Sequence, residues 1–140
     1  MQIPYKSFQI HPSNKLSPKN TELMRPIIQI DLINKKGKPF GYEALIDSGA
    51  DYCLFHGVIG EQLGLNVKKG KQLGFYGTSG RSQIAYFHEI TFTIQGKEIT
   101  STVGFSYGIE SLSVGLLGQN GFFDKFTIRF DLKNKIIELN

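Results

Sequence analysis

The stretch ALIDSGADYCLF, residues 44–55, places an aspartate between two apolar runs. Asp47 follows Ala-Leu-Ile and is followed at once by Ser48, Gly49 and Ala50, after which the chain soon becomes apolar again. An aspartate in a turn commonly accepts hydrogen bonds from backbone amides, and this structural role is one interpretation. The apolar flanks leave a second interpretation equally open, a carboxylate that is partly removed from water for chemical use.

Length and composition indicate one globular domain. The chain has 140 residues, of which 40% are hydrophobic and 20% are charged, and this is enough to bury a core. No apolar run approaches the roughly 20 residues that span a bilayer, and the N-terminus lacks the pattern of a secretory signal. We therefore expect a cytosolic protein with no membrane partner.

Charge and cysteine content restrict the possible partners further. The net charge is +4, and the 16 lysines and arginines are scattered along the chain. Proteins that bind nucleic acids concentrate basic residues on one face, interleaved with aromatic residues, so we expect no nucleic-acid partner. The single cysteine, Cys53, has no partner for a disulfide or a zinc cluster within the chain and is expected to be a small buried residue.

Alternation with a period of two predicts a mostly β fold. The segments rich in β-branched and aromatic residues are 25–34, 85–94, 98–107 and 126–132. Short polar links between several of them carry Gly or Asn, which suit hairpin turns. The expected architecture is a β-meander.

Only two short segments have helical character, residues 56–65 and 118–126. The first 24 residues contain three prolines and a polar stretch, which predict one early strand and then a long surface loop. We therefore divide the chain into an N-terminal strand and surface loop, residues 1–24, and a domain of residues 25–140.

Two further stretches place Asp47 in a larger pattern. VGLLGQNGFF, residues 114–123, is a second apolar run that leads into a glycine, and LGFYGTSGRSQIAYF, residues 73–87, is a glycine-rich hairpin between the two. In this order and spacing, the three stretches resemble the retroviral-type (retropepsin-like) aspartic proteases. The resemblance extends from about residue 25 to residue 139.

The resemblance implies the acid-protease fold, an all-β closed or folded β-meander barrel with one or two short helices. It also implies an aspartic endopeptidase without a metal or cofactor. Hydrolysis by this route needs two carboxylates that share one proton, one acting on water and the other on the substrate carbonyl. The chain carries one Asp-Ser-Gly and has no room for a second lobe, so a homodimer with Asp47 from each chain is implied, acting on a peptide or protein substrate.

Family resemblance assigns catalysis to Asp47, Ser48 and Gly49. Ser48 would bond across to the loop of the partner chain, and the backbone of Gly49 would contact substrate. Ala50 and Asp51 are assigned to substrate binding, since Asp51 matches the family position that bonds the peptide backbone. The apolar flanks would desolvate the carboxylates; these residues are Leu45, Ile46, Leu116 and Leu117.

The glycine-rich hairpin occupies the place of the family's flap, which closes over bound peptide and excludes water. A flexible hairpin tip without that role is the structural alternative. The hairpin residues assigned to substrate binding are Tyr76, Gly77, Thr78, Ser79 and Gly80. Sequence alone does not decide whether Phe75 or Tyr76 faces the substrate.

At one position the chain departs from the retroviral pattern. Retroviral members commonly carry arginine directly after the glycine of the second signature, paired with the acidic residue that Asp51 matches, and this chain has Gln119. Arg81 and Arg129 are the alternative partners for Asp51. The N-terminal segment is also longer than in a minimal retroviral protease, and two roles are open to it: covering the active site or stabilising the dimer.

Other chemistries fit the sequence less well. The segment 75–82 approaches a phosphate-binding loop, but Phe75 replaces the first glycine, Arg81 replaces lysine, and strand pattern follows where a helix is required. The segment around Ser79 lacks the final glycine of the G-x-S-x-G nucleophile elbow, and a strand pattern follows where that motif needs a helix.

Metal-dependent and glycosidase chemistry also fit poorly. His11, His56 and His88 are far apart and lack ligand spacing. Asp47 and Asp51 share one short loop, which gives poor control over the carboxylate separation that a glycosidase needs. The serious alternative to the protease is a catalytically silent retropepsin-like dimer that binds peptides or partner proteins, because a fold can be kept without its activity.

Overall fold

The computed structural model describes residues 1–76, 80–109 and 114–140. The strands are β1 (Gln2–Pro4), β2 (Lys6–Gln9), β3 (Glu22–Arg25), β4 (Ile27–Ile33), β5 (Pro39–Ile46), β6 (Cys53–His56), β7 (Lys71–Tyr76), β8 (Ser82–Ile94), β9 (Lys97–Ser106), β10 (Gly115–Leu117), β11 (Ile128–Asp131) and β12 (Ile136–Leu139). One α-helix, α1 (Gly57–Gln62), and two 3-10 turns, Pro12–Asn14 and Val67–Lys69, complete the described elements.

Six strands close into a barrel in the order β4-β5-β10-β6-β9-β8, and β8 pairs back onto β4. The closing pairs are Asp31 with Thr93 and Leu32 with Phe92. β7 extends the sheet beyond β8 as the first strand of the glycine-rich hairpin. The all-β acid-protease fold expected from the sequence is therefore confirmed.

Two parallel pairings hold the barrel together across long sequence separations. β10 runs parallel to β5, and β6 runs parallel to β9. The antiparallel meander that the alternation predicted is present as β7, β8 and β9. The parallel contacts depend on tertiary packing, so local alternation could not indicate them.

The period of two in the sequence separates the barrel interior from its outer face. Ile28, Ile30 and Leu32 on β4 are fully buried, and the largest buried side chains include four phenylalanines: Phe55, Phe92, Phe105 and Phe122. Cys53 is also fully buried, as predicted, and burial raises the pKa of its thiol to about 11. The cysteine therefore belongs to the core and is protected from thiol chemistry.

One of the two predicted helices is present. α1 begins after His56, whose Nδ1 accepts a hydrogen bond from the amide of Val58. The helix predicted for residues 118–126 is wrong, because Gly121 has a φ of 106° and the segment forms turns instead. Among the described residues, no helix has the length and apolar character needed to cross a membrane.

The N-terminal segment, residues 1–24, contains β1, β2 and most of β3, where the sequence predicted one strand. β1 pairs with β12 in a three-stranded sheet whose order is β1-β12-β11, and β2 pairs with β3 in a separate hairpin. These strands have only three or four residues and find their partners far along the chain or across a long loop. Such short strands carry little local pattern, which is why the sequence revealed only one of them.

Ion pairs connect the β2–β3 hairpin to the rest of the chain. Lys6 pairs with Glu43 on β5, and Lys135 donates to Glu22 at 2.9 Å. The C-terminal segment KIIELN, residues 135–140, contains β12, and the partners of this strand within the chain are β1 and β11.

Candidate active site

Asp47 follows the last residue of β5, at the point where three strands meet. β10 lies between β5 and β6, parallel to the first and antiparallel to the second, while the loop that carries Asp47 connects β5 to β6. The amide of Asp47 donates to the carbonyl of Leu117 on β10 at 3.0 Å. The position of the aspartate is therefore set by a strand that is about 70 residues away in the chain.

The loop folds back on the carboxylate. The amide of Gly49 donates to Oδ1 of Asp47 at 2.8 Å, and the amide of Ala50 donates to the Asp47 carbonyl at 3.2 Å. Asp47 is half-buried, whereas Ser48 and Gly49 are exposed. One side of the carboxylate is thus fixed by its own loop, and the outer side of the loop is open to a second molecule.

The apolar flanks of Asp47 divide between the two faces of the sheet. Ile46 and Leu117 are buried in the barrel interior, while Leu45 and Leu116 are half-buried on the outer face. The four flanking residues therefore lie on two sides of the loop, the core beneath it and the outer surface beside it.

The second signature, residues 114–123, supports the Asp47 loop through residues 118–120. A Cβ on Gly118 would lie 2.4 Å from the carbonyl oxygen of Tyr52 and 2.6 Å from that of Ala50, so only glycine fits. The next two residues donate to loop carbonyls through their backbones: Gln119 to Ala50 at 2.8 Å, and Asn120 to Asp51 at 2.9 Å. The two motifs seen in the sequence are therefore one structural unit.

Gln119 makes a contact that the resemblance to retroviral proteases did not suggest. Its side-chain Nε2 donates to the carbonyl of Ser48 at 2.7 Å, so it holds the loop backbone rather than the Asp51 side chain. Arg129, one of the alternative partners considered for Asp51, instead bonds Asp131 and Glu138 at 3.3 Å each in the terminal sheet. No signal in the local sequence distinguishes these arrangements.

A row of apolar positions crosses the outer face of the sheet beside the loop. Successive backbone partners across five strands are Leu45, Leu116, Leu54, Gly104 and Phe87. A Cβ on Gly104 would lie 2.8 Å from both Leu54 and Phe87, so these two side chains close over the glycine. We call these five residues the apolar row; the sequence analysis had named Leu45 and Leu116 as apolar flanks of Asp47, but not the other three.

The hairpin of β7 and β8 continues from the end of this row. Lys71 pairs with Phe87, and Phe75 with Gln83, so Phe75 shares a face with Phe87. The ring of Phe87 in turn packs edge-on against Tyr52 of the aspartate loop, with 5.2 Å between centroids. The face of Phe75 is therefore the one that is continuous with the aspartate loop.

Tyr76 points to the opposite face of the hairpin and is 79% exposed. Gly80 is exposed, has a φ of 70°, and would meet no atom within 4 Å if it carried a Cβ. The other predicted hairpin residues, Gly77, Thr78 and Ser79, lie outside the described residues. In the ranges that the structure covers, no group of three or more His, Cys, Asp or Glu is arranged to hold a metal ion.

Two solved structures that are similar to this chain are aspartic proteases. A retropepsin-like aspartic protease from Rickettsia conorii is 21% identical, with a TM-score of 0.55 over 81% of this chain and 91% of that one. EIAV protease, solved with the inhibitor HBY-793, is 20% identical, with a TM-score of 0.50 over 68% of this chain and 82% of that one. No protein-family model matches the chain, and no curated protein matches it.

The likeness to these structures thus covers most of the chain at low sequence identity. In this chain the closed barrel carries the loop of Asp47 and the segment 118–120 that supports it. The chain has the retropepsin-like fold of the aspartic proteases.

Proposed function

We propose that the protein is an aspartic endopeptidase whose active site forms between two copies of the chain. The observation that carries the proposal is the Asp47 loop: it is supported from below by Gly118, Gln119 and Asn120, and its outer side is open. A carboxylate held in this way is pre-organised, and an open outer side leaves space for a second carboxylate and a substrate.

Two Asp47 carboxylates would divide the chemistry between them. One takes a proton from water as the water oxygen attacks the carbonyl carbon of the peptide, and the other gives its proton to the carbonyl oxygen. The C–N bond then breaks as the amine leaving group is protonated and the carboxylic acid product forms. Two carboxylates sharing one proton suit this exchange of roles, because each can act as acid or base.

A two-fold axis between the two loops would complete the site. Ser48 and Gly49 are exposed at the outer side of the loop, where they would meet the partner. A contact of this kind is isologous, with the same residues on both sides of the axis. In this arrangement Ser48 bonds to the loop of the other chain and Gly49 presents its backbone to the substrate.

The apolar row supports a preference for hydrophobic side chains around the cleaved bond. It begins beside Asp47 at Leu45 and runs to Phe87 at the base of the hairpin. Phe75 continues the row onto the hairpin, and we assign it the contact with substrate that the sequence left open between Phe75 and Tyr76. Ala50, Asp51 and the hairpin tip supply backbone and polar contacts in the same proposal.

Cleavage of an unfolded protein or a mixed peptide pool from about pH 3 to pH 7 tests the proposal, with Asp47→Asn as the matched variant. We expect wild type to cut with a bell-shaped pH profile, and the variant, which is isosteric, to keep its fold and dimer while losing cleavage. If neither protein cuts although both are dimers, the catalytically silent peptide-binding dimer replaces the enzyme. A wild type that stays monomeric at micromolar concentration under assay conditions contradicts both.

Two expectations from the sequence stay predictions. These are the division of the chain at residue 24 into a separate N-terminal segment and the cytosolic location.

A further inference from the structure

One peptide group connects Gln119 to the carboxylate of Asp47. Nε2 of Gln119 donates to the carbonyl oxygen of Ser48 at 2.7 Å. The carbonyl of Ser48 and the amide of Gly49 belong to the same peptide group, and that amide donates to Oδ1 of Asp47 at 2.8 Å. The chain of contacts therefore runs from a side chain in the second signature, through one peptide plane, to the carboxylate.

The rigidity of the peptide group makes this connection effective. Its C=O and N–H lie in one plane and point in opposite directions, so fixing the carbonyl of Ser48 also fixes the direction of the Gly49 amide. A donor on the carbonyl also polarises the peptide group, which strengthens its N–H as a hydrogen-bond donor. Gly49 leaves the peptide free to take the required orientation, because it adds no side chain next to Oδ1 of Asp47.

We infer that Gln119 is a positioning residue that orients the Asp47 carboxylate through the Ser48–Gly49 peptide. The inference rests on the proposed protease function and adds a role for the residue at which the chain departs from the retroviral pattern. Gln119 does not touch the substrate in this assignment. It sets the orientation of the Asp47 carboxylate, which acts on the substrate, and so it affects the rate of the chemical step more than the binding of substrate.

Asn120 provides a matched comparison in the same segment. Its side-chain Nδ2 donates to the carbonyl of Asp51 at 2.8 Å, and its backbone amide donates to the same oxygen at 2.9 Å. That carbonyl belongs to the Asp51–Tyr52 peptide, which is not the one that bonds Asp47. Loss of the Asn120 side chain therefore removes a loop contact of similar strength without breaking the path to the carboxylate.

The kinetic test compares Gln119→Met, Gln119→Lys and Asn120→Leu. Methionine keeps the size of glutamine without a donor, and we expect kcat per dimer to fall about fivefold while KM changes little, as for loss of one hydrogen bond. Lysine restores a donor and should recover most of kcat. Asn120→Leu should lower kcat by less than about twofold. Gln119→Leu, which also lacks the donor, replaces the methionine variant if that one does not fold.

A second readout does not depend on cleavage. In protein labelled with ¹⁵N-glycine, the Gly49 amide should lie downfield in wild type because it donates to a carboxylate. It should move upfield and exchange faster with solvent in Gln119→Met, but not in Asn120→Leu. The inference is overturned if kcat and the Gly49 resonance respond to the two substitutions alike. If neither wild type nor any variant cleaves peptide, but the Gly49 resonance still moves in Gln119→Met and not in Asn120→Leu, the link from Gln119 to Asp47 stands and the proposed protease function fails.

Discussion

The loop of Asp47 and the hairpin of β7 and β8 lie on the same side of the sheet but are held in different ways. The loop is bonded to Leu117, Gln119 and Asn120, residues about 70 positions away in the chain. Where it extends beyond the β8–β9 pairing, which begins at Tyr86, the described hairpin is held mainly by the pairing of β7 with β8, with one added bond from the Ser106 hydroxyl to the Ile84 carbonyl at 2.7 Å. The loop is therefore fixed by tertiary contacts and the hairpin mostly by local pairing, which suits the roles proposed for them, a rigid catalytic loop and a separate covering element.

The glycines of the two regions show the same difference. Gly118 is required because backbone atoms leave no space for a Cβ, although its φ is not positive. Gly80 has open space around it and is favoured by its positive φ of 70°. Gly118 is therefore required by its contacts with the backbone, whereas Gly80 is favoured by its own backbone conformation.

Substitution of Gly118 by alanine should have the largest effect. The added Cβ would lie 2.4 Å from the Tyr52 carbonyl, and backbone cannot move aside as a flexible side chain can. We expect a loss of about 3 kcal/mol or more in the free energy of unfolding, measured by chemical denaturation. A variant as stable as wild type would show that the second signature does not support the Asp47 loop.

Removal of the Phe75 ring should have an intermediate effect, and on activity rather than stability. Because Phe75 shares the face of Phe87 and Tyr76 does not, Phe75→Ala should raise KM about tenfold, and Tyr76→Ala less than about twofold. Steady-state kinetics on one peptide measures both. The opposite order would mean that the hairpin presents its other face to the substrate.

Substitution of Gly80 by alanine should have the smallest effect. Alanine meets no atom there, so the cost is that of the positive φ alone, about 1 kcal/mol. Thermal unfolding should show a shift much smaller than that of Gly118→Ala. A loss as large as that of Gly118→Ala would mean that the hairpin is as tightly constrained as the loop, and the contrast between the regions would be lost.

Much of this arrangement could be predicted from the sequence. The segment 44–55 and the second apolar run at residues 114–123 were linked by their order in the chain and by the resemblance to retropepsin-like proteases, and the structure joins them in one unit. The burial of Cys53 and the existence of α1 also followed from local pattern. These features depend on residue type and short-range periodicity, which a sequence displays directly.

The remaining features depend on contacts between distant residues. The helix predicted for residues 118–126 does not form, because the chain turns at Gly121 to meet β9, where the Ser101 hydroxyl donates to the Gly121 carbonyl at 2.6 Å. Gln119 was compared with an arginine that pairs with Asp51, whereas its partner is the Ser48 carbonyl. The apolar row consists of one residue from each of five strands, so no local window contains it.

The most direct test of a shared active site is a mixing experiment with wild type and Asp47→Asn. The two proteins are combined at constant total concentration, allowed to exchange subunits, and assayed for peptide cleavage. If each site needs Asp47 from both chains, activity follows the square of the wild-type fraction, so an equal mixture retains about one quarter of the activity. Activity that falls only to about one half in the equal mixture would show that each chain works independently, and activity of about three quarters would show that one Asp47 per dimer suffices; either result would contradict the two-chain site.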